Sequence, residues 1–261
     1  MADWGIGKYE LTGAQLAPVA EVVVDAVEPV AGRKTLDIAC GSGNASLIAA
    51  ERGAEVTGLD AAPRLIEVAR ERASEAGLEI DFVEGNMLEL PFPDASFDVV
   101  TSVFGLIFGD PPGAVAGEIG RVLGQTGSRL AFTTWTDEGL LPRIAARSRE
   151  VTNEALDLPP AEEEPFNWGD EASVRELFAE HGVMVQCEKK EITFRGDSAA
   201  ALNEEWNQHH PMWLARKQAI GEENFNRLSA EILEILEAGN ESTDGSFSFT
   251  STYLLALGSP V

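Results

Sequence analysis

Two glycines and two acidic residues in the first quarter of the chain have the types and spacing of a cofactor site. Asp37, Gly41 and Gly43 stand between a short apolar run and residues 45–50, which read as a helix. Glycine is needed in such a turn where a ligand approaches the backbone and a Cβ would clash. The amide groups that begin the helix then face the ligand. Asp60, seventeen residues after Gly43, ends a second apolar run and is placed to bind a ribose diol.

Two cofactor classes use this arrangement of strand, loop and helix. The dinucleotide pattern Gly-x-Gly-x-x-Gly needs a third glycine where this chain has Ser46, so the match to it is poor. The segment instead resembles motif I of class I S-adenosylmethionine (SAM) methyltransferases, an acid followed by Gly-x-Gly-x-Gly, with Ala39 in place of the first glycine. In that family the acid at the Asp37 position lies near the methionine end of the cofactor. An ordinary turn without a ligand is the alternative, and Asp60 argues against it.

The resemblance continues downstream and implies both a fold and a cofactor site. Residues 90–100 are similar to the family pattern Leu-Pro-Phe-x-Asp-x-x-Phe-Asp-Val-Val, and residues 121–127 to a loosened Arg-Val-Leu-x-Pro-Gly-Gly. The family's fold is a Rossmann-like α/β sheet of seven strands with helices on both faces and an antiparallel last strand. Asn86 and the Met87 amide match the adenine position. The cofactor-binding residues expected from the resemblance are Asp37, Ala39, Cys40, Gly41, Gly43, Asp60, Ala61, Asn86, Met87, Ser102 and Val103.

Helix start and stop signals divide the rest of the chain. A helix is expected over residues 12–28 with Thr12 as its N-cap, and another from Pro63 to about residue 76, closed by Gly77. Asp110 precedes two prolines and is interpreted as the N-cap of a helix over residues 114–123. The same tripeptide resembles a motif of base-modifying amino methyltransferases, but Gly113 replaces the aromatic residue which that motif requires. Asp170 is expected to cap a later helix.

A helical insert is expected before the last strand. The predicted division is a SAM-binding core with an amino-terminal arm over residues 1–196, the insert over 197–245, and the last strand over 246–261. Two helices, 198–220 and 223–238, fit the insert. An insert at this position lies over the carboxyl ends of the strands, where open α/β sheets bind ligands. It is therefore predicted to be a lid that contacts the acceptor.

Two adjacent histidines on the insert are the candidates for a general base. His209 and His210 stand beside aromatic residues, where an imidazole can take a proton near neutral pH; a packed or exposed lid residue is the alternative. A base is needed only if the acceptor arrives protonated. Trp206 and Trp213 are seven residues apart and share a face, and core packing is the alternative to lining a substrate pocket. The predicted pocket residues are Tyr9, Phe104, Trp206 and Trp213. No metal site is expected.

Composition restricts the partners and the compartment. With 44 acidic and 19 basic side chains the net charge is −25, which disfavours nucleic-acid substrates. No apolar run is long enough to cross a bilayer, and the amino terminus lacks signal-peptide character. Cys40 and Cys187 are far apart in sequence, which favours a reducing, cytoplasmic compartment. The acidity itself fits either a high-salt environment or a solubility feature.

Three classes of function remain open from the sequence. The first is a SAM-dependent methyltransferase acting on a small, apolar or aromatic acceptor, with S-adenosylhomocysteine (SAH) as product. The second is a protein or RNA methyltransferase, and the third is a SAM-binding scaffold without catalysis. A homodimer is an expected alternative to a monomer.

Overall fold

The computed structural model describes residues 4–28, 30–124, 127–159 and 165–261. The strands are β1 (Lys34–Ile38), β2 (Glu55–Asp60), β3 (Asp81–Glu84), β4 (Val99–Val103), β5 (Arg129–Gly139), β6 (Val183–Gly196) and β7 (Phe247–Pro260). The helices are α1 (Tyr9–Ala26), α2 (Asn44–Glu51), α3 (Pro63–Ala76), α4 (Pro112–Leu123), α5 (Leu140–Ala155), α6 (Glu171–Ala179), α7 (Ala199–His209) and α8 (Pro211–Ala238). None of the helices in these ranges is long and apolar enough to span a membrane.

All seven strands join one sheet in the order β3-β2-β1-β4-β5-β7-β6. β1 pairs in parallel with β2 and β4, β2 with β3, and β4 with β5. Both β1 and β4 have continuous buried runs, as expected of parallel strands that are covered on two faces. The predicted class, a Rossmann-like seven-stranded sheet, is confirmed. From β1 the chain first adds strands on one side, β2 and then β3, and afterwards adds β4 and the later strands on the other side. Open α/β sheets bind ligands at such a switch point, which here lies between β1 and β4.

α3 shows how local sequence signals fix a helix of this sheet. Pro63 occupies its first turn, and Gly77 ends it with a φ of 68°, as predicted. Its buried residues, Leu65, Ile66, Ala69 and Ala73, recur at three- and four-residue spacing and form one apolar face. Part of this face joins Cys40 and Phe82 in a small core cluster, which places α3 against the start of the glycine loop.

Three helix boundaries differ from those predicted. α1 begins at Tyr9, so Thr12 lies inside the helix and not at its N-cap. α4 begins at Pro112 with Pro111 as N-cap and without a side-chain cap, so the Asp110 cap is wrong. The helix predicted over residues 198–220 is broken at His210, because Pro211 has no N–H to donate and disfavours helical geometry in the residue before it.

The chain forms two compact units, each built from three segments. The first, here called the helical unit, comprises the described parts of residues 1–9, 136–165 and 191–252. The second, the sheet unit, comprises the described parts of residues 10–135, 166–190 and 253–261. The helical unit therefore includes the amino-terminal arm and α5 in addition to the predicted insert. Whether residues 197–245 act as a lid stays a prediction.

Candidate functional site

The glycine loop after β1 uses left-handed backbone conformations. Gly41 and Gly43 have φ values of 54° and 85°, and Ala39 adopts 53°. Gly43 stands at the N-cap position of α2. A Cβ on Gly43 would lie 3.2 Å from the Cβ of Ala69, so the loop packs closely on α3. This explains why glycine is required at the third glycine position of the motif.

Asp60 ends β2 and ties the glycine loop to the start of α3. Its Oδ2 accepts the Gly41 N–H at 2.8 Å and its Oδ1 accepts the Ala62 N–H at 2.9 Å. The side chain is only 8% exposed, and burial raises its pKa while these backbone donors oppose the rise. A carboxylate has about four lone-pair sites, so each oxygen can still accept one further hydrogen bond. Asp60 can thus fix the loop and bind two hydroxyls of a diol.

Asp37 is the most strongly perturbed carboxyl of the loop. It accepts hydrogen bonds from Ser46 Oγ at 2.6 Å and from Thr101 Oγ1 at 3.2 Å. Burial raises its pKa to about 6, and these hydroxyl donors and a backbone bond at Ser46 oppose the rise only in part. The side chain is 2% exposed. A buried carboxylate without a cationic partner is prepared to bind a cation.

The end of β4 packs tightly on the same loop. A Cβ on Gly105 would lie 2.4 Å from the Ala39 Cβ and 3.0 Å from Ser102 Oγ. Ser102 is fully buried, and its hydroxyl has no hydrogen-bond partner among the described residues. A buried hydroxyl without a partner is costly, and a polar ligand would satisfy it. Sequence reasoning missed Gly105, although its position two residues after the strand was a usable signal.

Phe104, a predicted pocket residue, is held by other aromatic rings in the sheet unit. It stacks on Trp135 with ring centroids 3.8 Å apart and meets Tyr253 edge-on at 5.6 Å. Its own N–H donates to Thr133 Oγ1 at 3.0 Å. The ring is 4% exposed, while Trp135 is half-buried. Phe104 therefore supports the Trp135 ring more directly than it offers a surface of its own.

Comparison with known proteins agrees with this geometry. Residues 35–127 match the family described as methyltransferase domain. The chain is 36% identical over 181 residues to the uncharacterized protein Rv1405c of Mycobacterium tuberculosis, an alignment of 69% of this chain and 64% of that protein. It is also 36% identical over 180 residues to aklanonic acid methyltransferase DauC of a Streptomyces species, covering 66% of this chain and 79% of DauC. The chain belongs to the class I SAM-dependent methyltransferase family.

A solved structure supports the fold of this chain. Geranyl diphosphate C-methyltransferase of Streptomyces coelicolor, in complex with Mg2+, geranyl diphosphate and SAH, superposes with a TM-score of 0.55. The match covers 94% of this chain and 78% of that one at 17% identity, so it bears on the fold alone. In the part of the present chain that the structure describes, no three His, Cys, Asp or Glu side chains are grouped to hold a metal ion.

The residues of this chain fit SAM on three observations. Ser102 has a buried hydroxyl without a partner among the described residues, and Asp37 is a buried carboxyl that suits a cation. Asp60 supplies the acceptors for a ribose diol. When bound, SAM would supply an electrophilic methyl group on a sulfonium.

The remaining predicted cofactor residues occupy varied environments. Cys40 is buried, which raises the pKa of its thiol, and its N–H donates to the Leu59 carbonyl at 3.0 Å, so it serves the loop's backbone. Ala61 is exposed and Val103 half-buried. Asn86 is exposed, and its Oδ1 accepts the Leu88 N–H at 3.0 Å. Its Oδ1 is therefore the atom engaged in this local turn. Met87 is half-buried, and the adenine role of Asn86 and Met87 stays a prediction.

In the helical unit, the two candidate histidines join the amino-terminal arm. The Lys8 N–H donates to the His209 carbonyl at 2.8 Å. The rings of Trp4 and Tyr9 lie 6.0 and 6.4 Å from the His210 ring. The predicted pocket residue Tyr9 therefore contacts a candidate base.

His210 has the hydrogen bonding of a helix cap. It is the N-cap of α8, and its Nδ1 accepts the Met212 N–H at 3.2 Å. Burial lowers its pKa to about 4, with a smaller contribution from Arg216. The imidazole is therefore neutral at pH 7 and carries its proton on Nε2, since Nδ1 is an acceptor. In this arrangement Nε2 is available as a donor, and a base role for His209 or His210 stays a prediction.

Trp206 and Trp213 pack together inside the helical unit. Their rings lie 6.1 Å apart and 11° from parallel, and they are 7% and 6% exposed. Trp213 also meets Phe225 edge-on at 6.3 Å. This burial fits the core-packing alternative better than an open pocket wall.

Proposed function

We propose that this protein binds SAM at the glycine loop and transfers its methyl group to a small-molecule acceptor, releasing SAH. Asp60 carries the cofactor half of the proposal, because one buried carboxylate both fixes the loop and retains lone pairs for a ribose diol. Asp37 would neutralise positive charge at the methionine end of SAM. Ser102 Oγ would form a hydrogen bond that no described residue supplies.

The reaction would be a direct displacement at the methyl carbon. The acceptor atom forms the new bond to carbon as the carbon–sulfur bond breaks, and the bonding pair returns to sulfur as a neutral thioether. Any proton on the acceptor leaves to water or to a base. The chain's part is to align donor and acceptor and to exclude water, and alignment alone can remove several kcal/mol of barrier.

A small acceptor is supported by the net charge of −25, which disfavours nucleic acid, and by the resemblance to DauC, named for aklanonic acid. The chain spans 64% of the length of Rv1405c. The class of acceptor is therefore proposed only from the net charge and from the resemblance to DauC. The predicted helical insert, 197–245, would contribute the acceptor contacts.

Calorimetry with SAM, SAH and NAD tests the cofactor. Binding of SAM and SAH with none of NAD is expected, and NAD binding without SAM would refute the proposal. Release of SAH on addition of candidate acceptors then separates an enzyme from a SAM-binding scaffold. A protein that binds SAM but turns over with no acceptor, including cell extract, would be the scaffold.

A further inference from the structure

Arg216 differs from the other cations of residues 197–245. This stretch holds ten acidic and three basic side chains. Lys217 pairs with Glu222 at 3.2 Å and Arg227 pairs with Glu154 at 3.1 Å. Arg216 instead donates to the hydroxyl of Ser148 and lies 5.7 Å from the centre of the Trp213 ring. Within the described ranges no carboxylate forms an ion pair with it.

The surroundings of Arg216 disfavour its charge. The side chain is half-buried, and burial lowers its pKa, as does the nearby charge of Arg149. The chain has 44 acidic side chains, so a missing counter-ion does not reflect a shortage of carboxylates. A partly desolvated guanidinium is costly unless an anion binds it, and its planar fork suits carboxylate and phosphate. The position thus has the properties of an anion site.

His210 extends the same side of α8. His210, Trp213 and Arg216 follow at three-residue spacing, so they are successive neighbours on the first two turns. With Nδ1 bound to the Met212 N–H, the neutral ring presents Nε2–H as a donor. α8 is interrupted at Gly221, and the start of its first part also favours negative charge. A donor, a cation and a helix start therefore follow one another along this part of α8, and each favours an anion.

Trp213 is buried and supports the Arg216 side chain from the core of the helical unit. Its ring stacks on Trp206, which fixes its orientation, while the Arg216 guanidinium lies over it. We propose that His210 and Arg216, the latter held over the Trp213 ring, recognise an acidic group, a carboxylate or a phosphate, on the acceptor molecule. This inference rests on the proposed function and assigns the acceptor to the class of organic acids and phosphate esters.

The test uses three phenyl-bearing probes on the full chain saturated with SAH: benzoate, its neutral analogue benzamide, and phenyl phosphate. Calorimetry should show binding of at least one anion and none of benzamide. Arg216→Gln should weaken that binding at least tenfold. Arg227→Gln, which removes a cation from the part of α8 beyond the break at Gly221, should change it less than twofold. Preference for benzoate or phenyl phosphate then identifies the acidic group.

His210 has its own variant. His210→Asn keeps a side-chain acceptor for the cap and removes the Nε2 donor, so anion binding should weaken at least threefold while the melting temperature changes little. Equal binding in His210→Asn and the unmodified protein would remove His210 from the site.

The inference fails if neither anion binds, or if Arg216→Gln and Arg227→Gln bind alike. If Arg216→Gln does not fold, Arg216→Lys decides: it keeps the charge but loses the bidentate fork, so affinity for the preferred anion should fall at least threefold. Unchanged affinity in Arg216→Lys would then overturn the site. SAM binding is measured separately, so its loss refutes the proposed function, whereas failed anion binding with intact SAM binding refutes only this inference.

Discussion

Asp37→Asn should stabilise the ligand-free protein at neutral pH while it weakens SAM binding. The substitution keeps the shape of a side chain that is 2% exposed and removes its charge. Burial raises the pKa of Asp37 from 3.8 to about 6 in the folded protein. Ionising this carboxyl therefore costs stability, and the cost is removed in the variant.

The size of this change in stability follows from the pKa shift of Asp37. A raised pKa means that the contribution of Asp37 to stability is fully present below pH 3.8 and is lost as the pH rises through about 6. The full loss is about 3 kcal/mol. Linkage places about half of it between pH 5 and pH 8, so the stability difference between Asp37→Asn and the unmodified protein should grow by about 1.4 kcal/mol over that range.

Urea unfolding of both proteins without ligand, at pH 5 and pH 8, measures this difference. Comparing the two proteins at each pH cancels the titration of every other group that the substitution leaves alone. SAM binding supplies the second half of the test. The unmodified protein should bind SAM more weakly at pH 5 than at pH 8, and Asp37→Asn should bind it at least tenfold more weakly at pH 8, with little pH dependence.

A stability difference that is the same at pH 5 and pH 8 would show that Asp37 does not titrate in this range. Unchanged SAM affinity in Asp37→Asn would show that the carboxyl does not neutralise the ligand's charge. The first result would refute the predicted pH dependence of stability, and the second would refute the predicted role of Asp37 in SAM binding.

Asp60→Ala should weaken SAM binding by about 1.5–3 kcal/mol, the range for hydrogen bonds to a charged group, in calorimetry. It should also lower the free energy of urea unfolding, because two backbone N–H groups lose their acceptor; unchanged stability would contradict that clamp. Gly105→Ala should lower SAM affinity more than tenfold, since its Cβ would meet Ala39, while Gly113→Ala, with 3.6 Å of clearance, is the control. His209→Gln should lower turnover at least tenfold without changing SAM affinity if His209 is the base, and normal turnover would exclude it.

The parts of the fold that the sequence predicted are those decided by local chemistry. Pro63 and Gly77 bound α3 as expected, because each acts on its own backbone geometry. Asp170 caps α6 as expected, with its Oδ2 accepting the Ser173 N–H at 2.8 Å, a contact three residues away. The Thr12 cap is wrong although the residue type suits a cap, because the helix begins three residues earlier, at Tyr9.

Contacts between distant segments were not visible in the same way. Arg121 donates to the Leu90 carbonyl at 3.0 Å and to the Phe92 carbonyl at 2.7 Å, so two separate motifs of the sequence form one structural clamp. The sequence predicted only a ligand role for Asp60, whereas the structure adds two backbone donors. A pattern of residue types shows which groups can bind, and it cannot show which backbone amides fold towards them.

Arg216 marks the limit of sequence reasoning most clearly. In the sequence it is one of 19 basic residues, on a helix whose other cations pair with carboxylates. What distinguishes Arg216 is its set of neighbours. The Ser148 hydroxyl and the Trp213 ring contact it where a carboxylate is usual, and Arg149 lies near it. His210 shows a similar limit, because the sequence does not show that its Nδ1 accepts the Met212 N–H, which leaves Nε2–H as a donor while its base role stays a prediction. If both readings hold, the helical unit contributes acceptor recognition, and the proton, where there is one to lose, leaves by a group other than His210.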